Sequence, residues 1–533
     1  MRVAAAIAGL VLVAVLSPPG DHDLRPPRLL GLRITNGGAP FAGDGPLLAT
    51  VTPNGDGVRD AAEIHFRLGE PATVRLDVQQ TSAAPSVVWT HAWRLRRGAH
   101  TLRWSPPPRL QPRTYVLALT ATDSSGNRVA YGSPNAFVDR HPRAPVVRLL
   151  GVDAAFARPS YAPRESAILN VATDAAELEL QVFRTGPERR ITRRNDSMAG
   201  VPVAPPRRVS WTRRDRRGQL RVAIGSWPSG LYFARLSDAD GRVGFAPFVV
   251  RPARLGRARV AVVLPTNTWQ AYNFYDADGD GWGETWYAGP PHRRVALGRP
   301  YLHRGVPPFF HRYDQGFLHW LSWTGKRADF FAESDLAAVS GDELAATYTL
   351  IVYPGHTEYV TEREYDAIER YRDLGGNLMF LSANNFFWRV GGRGAALVRT
   401  GKWRDAGRPE AALIGVQYRA SDRGQRRDVF VRGSTAQWLW RETGLGVRAE
   451  FGRSVGGYGI EIDHTSSDSP PGTRVLAEIS DLFGPDGTAQ MTYYETASGA
   501  KVFAAGALDF GGSVATWPAR RMLENLWARL TQP

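Results

Sequence analysis

A chain of 533 residues with 43% hydrophobic and 11% aromatic content is too long for one core and too apolar for extended disorder, so about three domains are expected. It contains no cysteine, which excludes disulfides, thiolate nucleophiles and zinc–sulfur sites. The net charge of +15 does not imply a nucleic-acid partner, because all but three of the 66 basic residues are arginine, a skew that fits codon bias better than selection for phosphate contacts. The densest run, Arg184 to Arg221, reads as a solvated loop face or a patch for an anionic envelope surface.

At the N-terminus, Arg2 precedes an apolar run from Val3 to Leu16 that Ser17-Pro18-Pro19-Gly20 breaks. The run falls short of the roughly 20 residues of a spanning helix, so residues 1–20 are expected to be an export signal or a retained anchor. The expected location is therefore secreted, periplasmic or cell-surface, with that anchor as the sole membrane contact.

Residues 30–140 alternate short strand-like runs, such as Val74 to Val78 and Tyr115 to Leu119, with Pro, Gly and Asn clusters. This spacing predicts an antiparallel β-sandwich. The stretch Thr52 to Asp60 resembles the opening of immunoglobulin-like modules in flagellar hook-cap and surface-protein tails. Its Asn54, Asp56 and Asp60 could ligate calcium or simply form an Asx-rich turn. Residues 146–253 repeat the plan: a turn, a tyrosine, a strand and an Asp/Gly hairpin recur in the same order around Tyr115 and Tyr232. A second immunoglobulin-like sandwich is expected there, after a linker at Asp139 to Pro145.

From residue 257 to 533 the texture changes. Val260 to Leu264 and Tyr348 to Tyr353 are continuous apolar runs, as in strands buried on both faces. Between Tyr353 and the next run, Leu378 to Leu381, lies a helix from Thr361 to Leu374, with Thr361 and Glu364 as a capping box and Gly375-Gly376 as its stop. Strand, helix and strand make a βαβ unit and a parallel sheet, hence an α/β domain. Ligands bind beyond the carboxyl ends of such strands, which places Gly355 to Tyr359 beside Ser382 to Asn384 on the functional edge.

Several catalysts are absent. There is no HExxH motif and no phosphate-binding glycine loop ending in Lys-Ser/Thr. Gly452-Arg453-Ser454-Val455-Gly456 matches a nucleophile elbow, but a glycine turn and strand follow where a helix is required. Asp276, Asp278 and Asp280 have the spacing of a calcium loop, yet the twelfth position is Tyr287 instead of a bidentate glutamate, leaving structural calcium and an acidic turn both open.

Read together, Thr268-Trp269-Gln270-Ala271-Tyr272-Asn273, Arg294 to Tyr301, Gly355-His356-Thr357-Glu358-Tyr359, Gly375 to Leu378 with Ser382 to Arg389, Gly459 to Asp463 and Ala505 to Phe510 resemble the N,N-dimethylformamidase large (beta) subunit family. The resemblance covers roughly residues 220 to 530. It implies a glutamine-amidotransferase-like α/β domain without the usual cysteine, and a mononuclear ferric ion held by two tyrosines and a glutamate. The matching ligands would be Tyr232, Tyr272 and Glu358. His356, Asn384 and Glu461 match residues lining that site, and Lys402 matches a further lysine through loosely spaced sequence. The acidic insertion at Asp276 to Asp280 departs from the family, and the substrate-facing loops have no counterpart.

The chemistry is coherent on its own terms. Phenolate and carboxylate are hard anionic ligands suited to a trivalent ion, which would polarise an amide carbonyl and acidify water. His356 could then move a proton and Asn384 donate to an oxyanion. Each residue also has a structural role open to it, a tyrosine corner for Tyr232 above all. The expected function is an exported amidase-like metallohydrolase acting on a small amide or related C–N bond. The alternative is a non-catalytic envelope protein binding glycans or protein partners. A small partner subunit and the oligomeric state are left open by the sequence.

Overall fold

The computed structural model describes residues 23–132, 144–288, 294–392, 395–422 and 426–532. The apolar segment expected to direct export and most of the predicted linker lie outside the described residues. The described chain is a mostly β-sheet, multidomain structure with several sandwich-like sheets and few helices.

The N-terminal module pairs Leu29–Thr35, Ala62–Leu68 and Gly98–Trp104 in one antiparallel sheet. A second sheet takes the order Leu48–Val51, Val146–Leu149, Arg113–Thr122, Ala72–Gln80, Ser86–Leu95. Alternation explains the shared core: Val74, Leu76 and Val78 point inward against Ile64, Phe66 and Trp104, while Thr73 and Arg75 face solvent. Asp77 breaks the pattern, and its buried carboxylate accepts from Arg75 and Thr90. Val146–Leu149, the start of the stretch assigned to the second module, completes this first sheet by lying between Leu48–Val51 and Arg113–Thr122.

In the next module Asp153–Phe156, Ser166–Ala172 and Gly218–Ala223 face a sheet built on Glu177–Arg184, Gly230–Ser237 and Val243–Val250. Both modules contain the same corner. Tyr115 donates its hydroxyl to the carbonyl of Gln111, four residues back, at 2.7 Å, and Tyr232 donates to Pro228 at 2.7 Å. The Asn54–Asp60 segment is a set of Asx turns, with Asp60 accepting from the amides of Gly55 and Gly57.

Beyond residue 257 a nine-stranded sheet forms the centre. Asp329–Ala332, Val260–Leu264, Leu350–Tyr353, Asn377–Phe380 and Lys501–Ala504 run parallel in that order, and Ala489–Glu495, Arg474–Ile479, Phe430–Arg432 and Glu450–Phe451 continue it antiparallel. The continuous apolar runs follow from double-sided burial. Val260, Val262, Leu350 and Val352 pack with the helices Gln315–Trp323 and Ala519–Leu530, whereas Ala261, Val263 and Ile351 pack with Glu362–Asp373. Thr361 caps that last helix by accepting from the Glu364 amide at 3.3 Å, and Gly375 ends it at φ +94°. The predicted capping box is half formed: the Glu364 side chain does not return to Thr361, being buried instead where Tyr353 donates to it.

The modules are tied together. Ser229 Oγ donates to Val250 O and accepts the amide of Phe330 at 2.7 Å. The loop Asp276 to Gly281 lies on the N-terminal module: Thr81 donates to the carbonyl of Gly281, and a Cβ at Gly279 or Gly281 would overlap Leu48 or Val116.

Candidate functional site

Three parallel strands, Val260–Leu264, Leu350–Tyr353 and Asn377–Phe380, end at one edge of the sheet, and the segment following each supplies polar side chains. After the first, the helix Thr266–Ala271 ends at Tyr272. After the second, Pro354-Gly355 turns the chain toward His356 and Glu358, and Gly355 is required because a Cβ there would overlap the buried carboxyl of Asp314. After the third, Asn384 adopts φ 51°, a left-handed conformation that asparagine tolerates better than most residues. Hydrogen bonds stitch these segments. Thr268 Oγ1 accepts the Glu358 amide at 3.0 Å, Asn385 accepts the Thr357 amide at 3.1 Å, and the amides of Phe386 and Trp388 donate to the carbonyls of Thr357 and Glu358 at 2.8 Å each.

The side chains meet in a mostly buried cluster. Tyr272 donates its hydroxyl to Glu358 Oε2 at 2.8 Å, and Tyr287 reaches the same oxygen at 3.4 Å. The two phenol rings stack, with centroids 4.7 Å apart and planes at 16°. His356 Nε2 lies 3.4 Å from Glu358 Oε2 and 3.9 Å from Glu461 Oε2, while its Nδ1 faces the Ala383 carbonyl at 3.0 Å. Asn384 Nδ2 donates to Glu358 Oε1 at 3.2 Å and Glu461 Oε2 at 2.8 Å, and its buried Oδ1 has no partner among the described residues. Its own amide donates to Asp463 at 2.8 Å. Ile460, just before Glu461, sits at φ 67°, a strained conformation for a β-branched residue.

Electrostatics follow from this crowding. Burial, reinforced by the Glu358 charge, holds the phenols of Tyr272 and Tyr287 well above their ordinary range. For His356 burial alone would favour the neutral ring, but Glu358 and Glu461 outweigh it and raise the imidazolium to about 9. Burial also raises the carboxyl of Glu461, with the neighbouring Glu358 adding to it. The His356 imidazolium and the phenolic protons of Tyr272 and Tyr287 face the carboxyl groups of this crowd.

Of the residues singled out by sequence, the fold brings together Tyr272, His356, Glu358, Asn384 and Glu461. It does not bring Tyr232, whose ring packs between Trp227 and Phe248 in the second module and whose hydroxyl is spent on the Pro228 carbonyl. Lys402 stands aside: its ammonium lies 5.2 Å from the Phe387 ring, beside a cavity of about 310 Å³ shared with Tyr418 and His464, and makes no hydrogen bond or ion pair to the cluster. Ser454 is exposed on a single 3₁₀ turn, without the elbow's helix.

Tyr287 is the residue that sequence reasoning passed over. It was visible only as the wrong residue at the twelfth position of a calcium loop. The signal that could have found it is the Trp286-Tyr287 pair closing the acidic insertion: Trp286 stacks on Tyr359 at 4.9 Å, and Tyr287 bonds the hydroxyl of Tyr359. Arg299 fixes the start of this loop by donating to the carbonyls of Gln270 at 2.8 Å and Tyr275 at 3.1 Å. In the loop itself, oxygens of Asp276, Asp278 and Asp280 lie within 4.8 Å of one another. Asp276 is buried, and it already accepts the amides of Gly279 at 2.6 Å and Gly281 at 2.7 Å.

Comparison with known proteins adds a family. Residues 206–522 match the model described as N,N-dimethylformamidase beta subunit-like, C-terminal. A stretch of 77 residues is 36% identical to the N,N-dimethylformamidase beta subunit of an Alcaligenes species, covering 14% of this chain and 10% of that protein. The match thus spans about a tenth of the curated relative's length. Among solved structures, Escherichia coli alpha-2-macroglobulin in its native conformation overlaps 43% of this chain and 16% of its own, at 10% identity and a TM-score of 0.25. Its trypsin-activated form overlaps 42% and 16%, with the same identity and score. Likeness this slight carries no conclusion about fold or function.

Proposed function

The chain belongs to the N,N-dimethylformamidase beta subunit-like family, and from that premise we propose that it hydrolyses the C–N bond of a small amide at the Tyr272–Glu358 cluster. The observation that carries this reading is the convergence of two stacked phenols on one carboxylate oxygen, at 2.8 and 3.4 Å. The arrangement of parallel strands with helices on both faces also supports a glutamine-amidotransferase-like core for this region.

We infer that Tyr272, Tyr287 and Glu358 would hold a ferric ion, with Tyr287 in the place first given to Tyr232. The donor set fits: two phenol oxygens and one carboxylate oxygen, all hard donors of the kind a trivalent ion prefers, meet in a buried space. When bound, such an ion supplies Lewis acidity, polarising an amide carbonyl and lowering the pKa of water. The chain's own residues handle the protons. Glu461, its carboxyl raised and partly exposed, would accept a proton from the attacking water. His356 would give its Nε2 proton to the departing amine as the C–N bond breaks, its ring fixed by the Ala383 carbonyl. Asn384 holds Glu358 and Glu461 in place through Nδ2 and keeps Oδ1 free to accept from a substrate N–H or from water. Water thereby ends in the acid product and its proton in the amine.

The test is iron per chain in the purified protein, together with hydrolysis of dimethylformamide and a panel of small amides. About one iron per chain is expected, falling at least about tenfold in Tyr272→Phe and in Tyr287→Phe, because each loses a ligand oxygen. A full iron complement in both variants, or wild-type protein that takes up no iron, would refute the site.

A further inference from the structure

A second concave site lies between the middle β module and the C-terminal sheet, and none of the cluster's residues lines it. It is a cleft of about 580 Å³, within the usual size of small-ligand sites. Its walls carry six cations: Arg164 and Arg184 from the middle module, and Arg254, Arg257, Lys326 and Arg327 from the C-terminal region. Arg164 is engaged with Ser226 at 2.9 Å, and Lys326 with Glu524 at 2.6 Å. The side chains of Arg184, Arg254, Arg257 and Arg327 make no hydrogen bond or ion pair among the described residues.

The acidic side is nearly absent. Among the described lining residues the one carboxylate is Asp329, buried and committed to the Arg257 amide and the Tyr348 hydroxyl, at 2.9 Å each. Arg254, Arg257 and Arg327 are exposed and Arg184 is half-buried, so their charges line a concave wall with no free carboxylate to offset them, which raises the local potential for an anion. The walls are also rigid. Ser229 ties the strand Gly230–Ser237 to Phe330, and Gly186, at φ +114°, brings its backbone against the Leu318 carbonyl, where a Cβ would lie 3.0 Å away. The aromatic wall is Trp227, stacked on Tyr232 at 5.4 Å, in a position that only glycine at 225 leaves room for.

We propose that this cleft binds a phosphate-bearing ligand of sugar size carrying two or more negative groups. Guanidinium forks match phosphate oxygens in pairs, four free forks call for more than one phosphate, and the indole offers a face for a ring. The ligand is either a free sugar phosphate or the repeating unit of a phosphorylated polymer, and the two share this chemistry.

The full chain is titrated by calorimetry with pyrophosphate, glucose 1,6-bisphosphate and long-chain polyphosphate at two salt concentrations. Three variants are compared with wild type: Arg184→Gln; Arg254→Gln with Arg257→Gln and Arg327→Gln; and, with the same charge loss elsewhere, Arg189→Gln, Arg190→Gln and Arg193→Gln together. Saturable binding is expected, weaker at the higher salt, reduced about tenfold or more in the first two and within about twofold of wild type in the third. The cleft arginines are mostly exposed, so melting temperatures of the variants should match wild type. A free sugar phosphate is indicated if the bisphosphate binds tightest, and a polymer if polyphosphate does. No saturable binding of any probe up to ~1 mM, or equal loss in all three variants, overturns the proposal.

Discussion

Tyr232 and Tyr287 place the same phenol in opposite circumstances. The first spends its hydroxyl on a carbonyl four residues back, and the second directs it at a carboxylate shared with another tyrosine. Tyr232→Phe is therefore expected to lower unfolding stability by about 1 kcal/mol, the ordinary value of one hydrogen bond, and to leave metal content unchanged. Tyr115→Phe should cost about the same, since Tyr115 makes the matching bond to Gln111. Denaturant unfolding with parallel metal analysis checks both, and metal loss in Tyr232→Phe would reopen the first assignment. Five of the cluster's residues were legible in the sequence: Tyr272, His356, Glu358 and Asn384 stand in short segments after buried strands, and Glu461 opens the short strand Glu461–His464 within a matching motif. Tyr287 was not, because its segment is an insertion with no strand before it, and only the fold shows that the insertion doubles back. The internal repeat around Tyr115 and Tyr232 was legible too, and it pointed to the structural role of Tyr232 more directly than the motif match pointed to a ligand.

Among the elements, the strands and the helix Glu362–Asp373 follow their patterns closely, since apolar runs and a threonine cap are local signals. The exception is Glu364, an expected capping side chain that is instead fully buried near Glu333. Two carboxyls this close are not visible from spacing, because Glu333 belongs to a different helix, Glu333–Leu336. Burial pushes the Glu333 carboxyl up to about 8, and burial together with Glu333 holds Glu364 well above the usual range. Both raised values mean that the folded chain keeps protons which the unfolded chain releases at ordinary carboxylate pH. Their contribution to stability is thus present in acid and is lost as pH rises toward about 8. Glu333→Gln keeps an uncharged group of similar shape, so its stability relative to wild type should improve with pH, by up to about 1.4 kcal/mol per unit above the unfolded value. Urea midpoints taken from pH 5 to pH 8 measure this, and a difference independent of pH would show that the pair is not protonated.

For the molecule as a whole, composition and strand spacing made the succession of β modules and the parallel centre of the C-terminal sheet legible, but not the four antiparallel strands that extend it. They could not reveal that Val146–Leu149 closes the first module's sheet, because register is a long-range property. Nor could they reveal where the Asp276–Gly281 loop rests, since its glycines are selected by contact with Leu48 and Val116, far away in the chain. That loop carries the chain onward to Tyr287. Deleting residues 23–149 is accordingly expected to lower iron occupancy at least severalfold, although none of the first module's described residues hydrogen-bonds to the cluster. Metal analysis of the folded truncation tests this, and unchanged occupancy would show the loop to be self-supporting. The same seat has a consequence for biogenesis. As the chain leaves the ribosome, the first sheet can close once Leu149 has emerged, well before the loop is made, so a module already folded becomes the mould against which a later segment of the cluster is cast.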